Sequence, residues 1–227
     1  MAQNWHDLLF AHWEVAVEKM RGLVPPGLEI DTFEGRAWIG VVPFRMSGVR
    51  LRGTPALPGL SAFPELNVRT YVKAEGKPGV WFFSLDAANQ VAVEVARACF
   101  HLPYFFARMR SVADGGQIQY VSRRNDRRGA GESLQMKYRA GGERFEAQPG
   151  RLEYFLTERY CLYAQRPDGA LLRGEIHHAP WTLQQARAEF VENTMAKALG
   201  VEFRDEPLLH FSKLQEVVVW APQVVRT

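Results

Sequence analysis

The chain has 227 residues, 47% of them apolar and 23% charged, with a net charge of +3. It is long enough to bury a core without disulfide or metal staples, and a charge that small does not mark a nucleic-acid binder. No window approaches the roughly 18 apolar residues that a membrane span needs, and the start, MAQNWHDLLFAHWEV, lacks the basic and apolar regions of a signal peptide. A cytoplasmic protein without membrane or nucleic-acid partners is expected. Its two cysteines, Cys99 and Cys161, stand far apart in apolar contexts and read as reduced core thiols. Arginine outnumbers lysine 22 to 6, which suits bidentate recognition of carboxylate or phosphate more than Schiff-base chemistry.

Taken in order, Leu9, Trp13, Ala16, Val17 and Met20 recur at helical spacing and predict a helix over residues 5–22, stopped by Pro25-Pro26-Gly27. LEIDTF and RAWIGVVPF read as strands around Glu34-Gly35, and residues 45–62 as a long loop. ELNVRTYVKA and VWFFSL form the next hairpin, after which Asp86 is expected to cap a helix reaching Phe100. QIQYVSRR, SLQMKYRA, ERYCLYAQ and ALLRGEIHH follow as strands. A helix is expected from Pro180 to Leu199, ended by Gly200, and EVVVW closes the chain as a strand. No repeat or linker divides the sequence, so residues 1–227 read as one α+β domain built on a mainly antiparallel sheet with a few helices.

Alternation along the strand at Glu65 places Glu65, Asn67, Arg69 and Tyr71 on one face. That face is either the solvated side of a sheet or the lining of a closed one, where the four side chains converge on a small anion. Other constellations offer less. His177 and His178 are adjacent on a strand and point opposite ways, and no His-Glu-x-x-His or Cys-x-x-Cys spacing occurs, so no metal is expected. There is no Gly-x-Ser-x-Gly elbow, and Ser84 reads as part of a helix start. The run Arg123-Arg124-Asn125-Asp126-Arg127-Arg128 contains an aspartate and no interleaved aromatics, and reads as a solvated hairpin loop. HLPYFFAR, at residues 101–108, is either an aromatic plug of core or part of a pocket wall.

The segments LLFAHWEV, LVPPGLEIDTFEGRAWIGVVPF, FPELNVRTYV, GVWFFSLDA, LPYFFARM, FLTERYCLYA and HHAPW together resemble the YqjF-like family of uncharacterised proteins, over nearly the whole chain. The resemblance implies an acetoacetate decarboxylase-like fold, a large mixed sheet folded on itself into a cone or barrel with helices outside. In that decarboxylase a Gly-Phe-Pro-Lys-Lys segment supplies the Schiff-base lysine. HLPYFFAR is similar to that segment, but Tyr104 and Phe105 stand where the lysines would be, and neither forms an imine. Phe63-Pro64-Glu65 is similar to the segment that carries the decarboxylase's pocket glutamate. Lys19, Lys73, Lys77, Lys137, Lys197 and Lys213 lie in no matching segment.

Two functions fit these residues. One is a lyase, isomerase or hydrolase acting on a small keto or hydroxy acid without a cofactor. Arg69 holds the carboxylate, Glu65 serves as general acid or base, and Tyr104 donates to a developing oxyanion. The other is a non-catalytic binder or sensor in which Arg69, Asn67 and Tyr71 give affinity and Tyr104, Phe105 and Phe106 form an aromatic wall. Arg159 is a weaker candidate for the same cavity. Trp5, Trp13 and Trp181 read as core or interface packing, which leaves a homo-oligomer open.

Overall fold

Six consecutive residues, Leu8 to Trp13, are buried. In the computed structural model, which describes residues 1–56 and 61–225, they lie in a strand, β1 (Ala2–Val15). The helix expected over residues 5–22 is reduced to α1 (Val17–Arg21). The cause is burial on both faces: Leu9, Ala11 and Trp13 enter one hydrophobic core, while Leu8 and Phe10 enter another. A strand covered on both sides loses its apolar–polar alternation, and its continuous apolar run is indistinguishable by period from a buried helix.

After the short β2 (Glu29–Ile30), β3 (Ala37–Arg50) runs into the stretch expected as loop. Residues 57–60 of that stretch lie outside the described residues. β4 (Phe63–Ala74) and β5 (Lys77–Ala87) form the expected hairpin. Asp86 does not cap the next helix, because it lies inside β5. The cap of α2 (Gln90–Phe100) is Asn89, whose side chain accepts from the Ala92 amide at 3.1 Å. His101 ends α2 in the left-handed region, at φ 53°, and Pro103 separates it from β6 (Tyr104–Asp114). Cys99 is exposed on α2, so only Cys161 is a core thiol.

β7 (Gln117–Asp126) and β8 (Gly129–Glu146) make a tight hairpin. The arginine run at its tip is not a solvated loop throughout: Arg124 and Asp126 are buried. Next come α3 (Leu152–Thr157), β9 (Cys161–Gln165) and β10 (Leu171–His177). The helix expected over residues 180–199 is instead β11 (Thr182–Asn193), followed by a single 3-10 turn at Lys197–Leu199. Its Gln, Ala, Arg and Glu residues favour a helix, but ten register pairs with β8 override that preference. β12 (Leu208–Val219) and β13 (Gln223–Val224) complete the chain.

These strands form one mixed sheet that curls back on itself, because β4 pairs with β5 as well as with β3. The closed ring of nine strands is β4-β5-β6-β7-β8-β11-β12-β1-β3. Two of its members divide their partners along their length. The first half of β5 pairs with β9, at Val80↔Leu162, and the second half with β6, at Leu85↔Tyr104, both in parallel. Likewise β12 pairs with β11 at His210 and Phe211 and with β10 at Val218 and Val219. The detour through β9 and β10 closes a smaller ring that shares β12, β1, β3, β4 and β5 with the larger one.

In the middle of this shared wall, His12, Gly40 and Arg69 stand side by side on β1, β3 and β4. A Cβ on Gly40 would lie 3.0 Å from His12 Cδ2 and 3.5 Å from Arg69 Cγ. The missing side chain lets the imidazole and the arginine stem meet across β3. Gly40→Ala is therefore expected to lower the unfolding free energy by about 1–3 kcal/mol, the range for overpacking a close-packed interior, as read from a urea denaturation midpoint.

Candidate functional site

The smaller ring encloses a cavity of about 90 Å³, room for a handful of non-hydrogen atoms. Every strand of that ring contributes to its wall, with Trp5, Phe44, Arg69, Phe82, Leu162, Ile176 and Val219 as examples. β4 supplies the polar stripe. Alternation aims Glu65, Asn67 and Arg69 into the cavity, while Leu66, Val68 and Val72 enter the core of the larger ring.

Glu65 is 3% exposed. The Tyr104 hydroxyl, brought in by the start of β6, donates to its Oε2 at 3.1 Å, and the Tyr120 hydroxyl donates to its backbone oxygen at 2.6 Å. Burial pushes the Glu65 carboxyl up to about 8; the Tyr104 bond opposes that rise and Asp86 adds to it. Glu65 is therefore protonated at neutral pH. Burial, reinforced by Glu65, holds the Tyr104 phenol well above its ordinary range, so it remains a donor.

Arg69 is 8% exposed and forms no ion pair among the described residues. Its Nη2 makes a long hydrogen bond, 3.4 Å, to the Leu156 carbonyl, and its Nε has no acceptor among the described residues. The guanidinium lies 5.3 Å from the centre of the Phe10 ring and 5.7 Å from that of Tyr71. The other two buried arginines nearby are neutralised. Arg159, also on the cavity wall, pairs with Asp31 at 2.6 Å, and Arg124 bonds Asp86 at 2.7 and 2.9 Å. A buried cation without a counter-ion is costly unless something supplies the charge.

Behind Arg69, the Tyr71 hydroxyl donates to the Leu156 carbonyl at 2.8 Å and lies 2.5 Å from His12 Nε2. The single phenolic proton is committed to Leu156, so His12 carries its proton on Nε2 and donates to Tyr71. Burial, with Arg69 and His210 beside it, keeps this imidazole neutral. Tyr71 thus supports the wall without lining the cavity. Phe105 also lies outside the lining and packs beneath Arg124, 4.2 Å from guanidinium carbon to ring centre.

One group escaped the sequence reading. The Asp86–Arg124 pair sits on the far side of β4 and β5, and burial pushes Asp86 up to about 6 in spite of Arg124. Strict alternation along β7, with Ile118, Tyr120, Ser122, Arg124 and Asp126 all buried, is the signal that marks Arg124 as internal. Trp181 and Trp5 stack on the cavity wall at 6.1 Å, and neither indole nitrogen has an acceptor among the described residues. His178 is buried beside Trp181, with Nδ1 2.8 Å from the Ala179 carbonyl. Among the described residues, no lysine, cysteine or serine appears on the wall. Among the described residues, no three His, Cys, Asp or Glu side chains gather as a metal site, and no helix is long and apolar enough to cross a membrane.

Comparison with solved structures shows the same fold at low sequence identity. Acetoacetate decarboxylase from Legionella pneumophila superposes with a TM-score of 0.68 at 9% identity, over 100% of this chain and 88% of the other. The enduracididine biosynthesis enzyme MppR, complexed with pyruvate, gives 0.68 at 14% identity, over 99% and 90%. Among sequences, the uncharacterized protein YqjF of Bacillus subtilis is 49% identical over 222 residues, which are 97% of this chain and 90% of YqjF. With residues 2–216 also matching DUF2071, described as an uncharacterized conserved protein, the chain belongs to that family and carries an acetoacetate decarboxylase-like fold.

Proposed function

We propose that the chain is an enzyme that acts on a small carboxylate without forming a Schiff base: a lyase, isomerase or hydrolase. Arg69 carries the reading, as a buried guanidinium on a cavity wall with no carboxylate to neutralise it. A ligand carboxylate supplies the missing charge and, through a bidentate contact, an acceptor for the free Nε. Glu65 supplies the proton. Tyr104 donates to Oε2, which leaves the carboxyl proton on Oε1 for transfer to the ligand, after which the carboxylate can take a proton back. Tyr104 serves as the group that holds Glu65 in place. The solved relatives in fold act on or bind small oxo acids by name, acetoacetate and pyruvate, which agrees with the chemistry read from the wall.

A second reading, a non-catalytic binder or sensor, is favoured by the lack of a lysine, cysteine or serine nucleophile on the wall. Turnover separates the two readings. Small carboxylates that bind are expected to be consumed by the wild type and left unchanged by Glu65→Gln; binding without turnover favours the sensor.

Arg69→Met tests the anion site. Removing an unpaired buried charge is expected to stabilise the ligand-free protein by about 1–3 kcal/mol. A carboxylate present at a hundred times its Kd stabilises the wild type by about 2.7 kcal/mol, and the variant should lose that gain in a thermal-shift measurement. Equal ligand shifts in both proteins would place the carboxylate elsewhere.

Glu65 also predicts a pH dependence. Its carboxyl titrates at about 8 when folded, against an ordinary 4.5. Between those values the unfolded chain holds fewer protons than the folded one, so this group makes stability fall as pH rises and has no further effect above the folded value. Glu65→Gln should remove the slope. The variant should match the wild type near pH 4 and exceed it at pH 8, by a few kcal/mol, on the order that such a pKa displacement represents. Urea midpoints across the range check this.

A further inference from the structure

The anion anchor and the proton donor are not neighbours. Glu65 and Arg69 are four residues apart on one face of β4, which separates their Cα atoms by about 13 Å. Arg69 is held toward the end of β4 remote from Glu65: its guanidinium lies 3.4 Å from the Leu156 carbonyl and 5.7 Å from the ring of Tyr71, two residues further along the strand. Glu65 is held at its own end by the hydroxyl of Tyr104. Asn67 stands between them, with its amide oxygen unpartnered. Contacts of about 3 Å at either end leave a gap of several bonds along an extended ligand. An acid whose carboxylate and oxygen function sit on adjacent carbons is too short to touch both groups.

Resting on the carboxylate reading of Arg69, we infer that the ligand is a short unbranched acid whose hydroxyl or carbonyl lies on the γ or δ carbon, not beside the carboxylate. The carboxylate takes Arg69, the methylene chain passes Asn67 between Val42 and Leu85, its neighbours on β3 and β5, and the distal oxygen meets Glu65. Among the described residues the cavity holds one cation without an ion pair, Arg69, so a monocarboxylate fits and a dicarboxylate leaves a buried charge uncompensated.

Isothermal calorimetry on the full chain with butyrate, the α-, β- and γ-hydroxybutyrates and δ-hydroxypentanoate tests this. The γ and δ compounds are expected to bind roughly ten-fold more tightly than the α compound, the worth of one well-made hydrogen bond to a buried group. Glu65→Leu should erase that advantage, and Arg69→Met should abolish binding of all five. If the α compound binds as tightly as the γ compound, and Arg69→Met still abolishes both, the spacing inference fails and the Arg69 reading stands. If no acid binds the wild type, or Arg69→Met binds them unchanged, the Arg69 reading fails and the spacing inference with it. Circular dichroism of both variants confirms folding, and the wild-type series alone decides between adjacent and distal substitution.

Discussion

Five strands that belong to two closed rings at once are the constraint on which the rest of this molecule depends. β12, β1, β3, β4 and β5 have a core on either side, so their residues are sorted by which interior they face instead of between solvent and core. The larger interior took the aliphatic and tyrosine side chains that fill space. The smaller one was left with a gap and with the polar stripe of β4. A polar stripe on such a strand has no route to bulk water, and each of its groups has to find a partner, give up its charge, or wait for a ligand.

The structure shows the first two outcomes. Arg159 and Arg124 found aspartates. Glu65 and His12 gave up their charge to burial. Arg69 did neither, and that difference sets it apart among the three buried arginines. Its neighbours limit the cost of waiting: the aromatic faces of Phe10 and Tyr71 and the carbonyl end of α3 are the weak substitutes that a guanidinium accepts. The acetoacetate decarboxylase-like fold is shared, and Tyr104 meets Glu65 where the resemblance places a lysine.

The sequence was most legible at β7, where one wet face gives strict alternation, and at the β4–β5 hairpin, where a short turn marks the strands. It was legible too in the grouping of Glu65, Asn67 and Arg69, because polar residues alternate with apolar ones on β4 although both of its faces are covered. It misled at β1, where two cores remove the alternation and leave a helix-like run. It misled again at β11, where exposed positions filled by Gln, Arg and Glu carry helix preference but the position beside β8 dictates a strand. Asp86 was mistaken for a cap because a buried ion pair across β5 and β7 leaves no local trace; its partner lies 38 residues away. The aromatic stretch after α2 proved divided: Tyr104 faces the cavity and Phe105 the ion pair behind it, as successive strand residues must.

The pairing of β1 with β12, running from Ala2↔Val218 to His12↔Leu208, joins the two ends of the chain in the wall shared by both rings. Neither ring can close until β12 has been made and has found a strand synthesised some two hundred residues earlier. Such long-range closure carries a large loop entropy before any contact rewards it. Until then β1, with the apolar run Leu8 to Ala11 and one neighbour missing, is left uncovered. The same segment whose double burial hid its strand character is thus the one most in need of shielding before the barrel shuts.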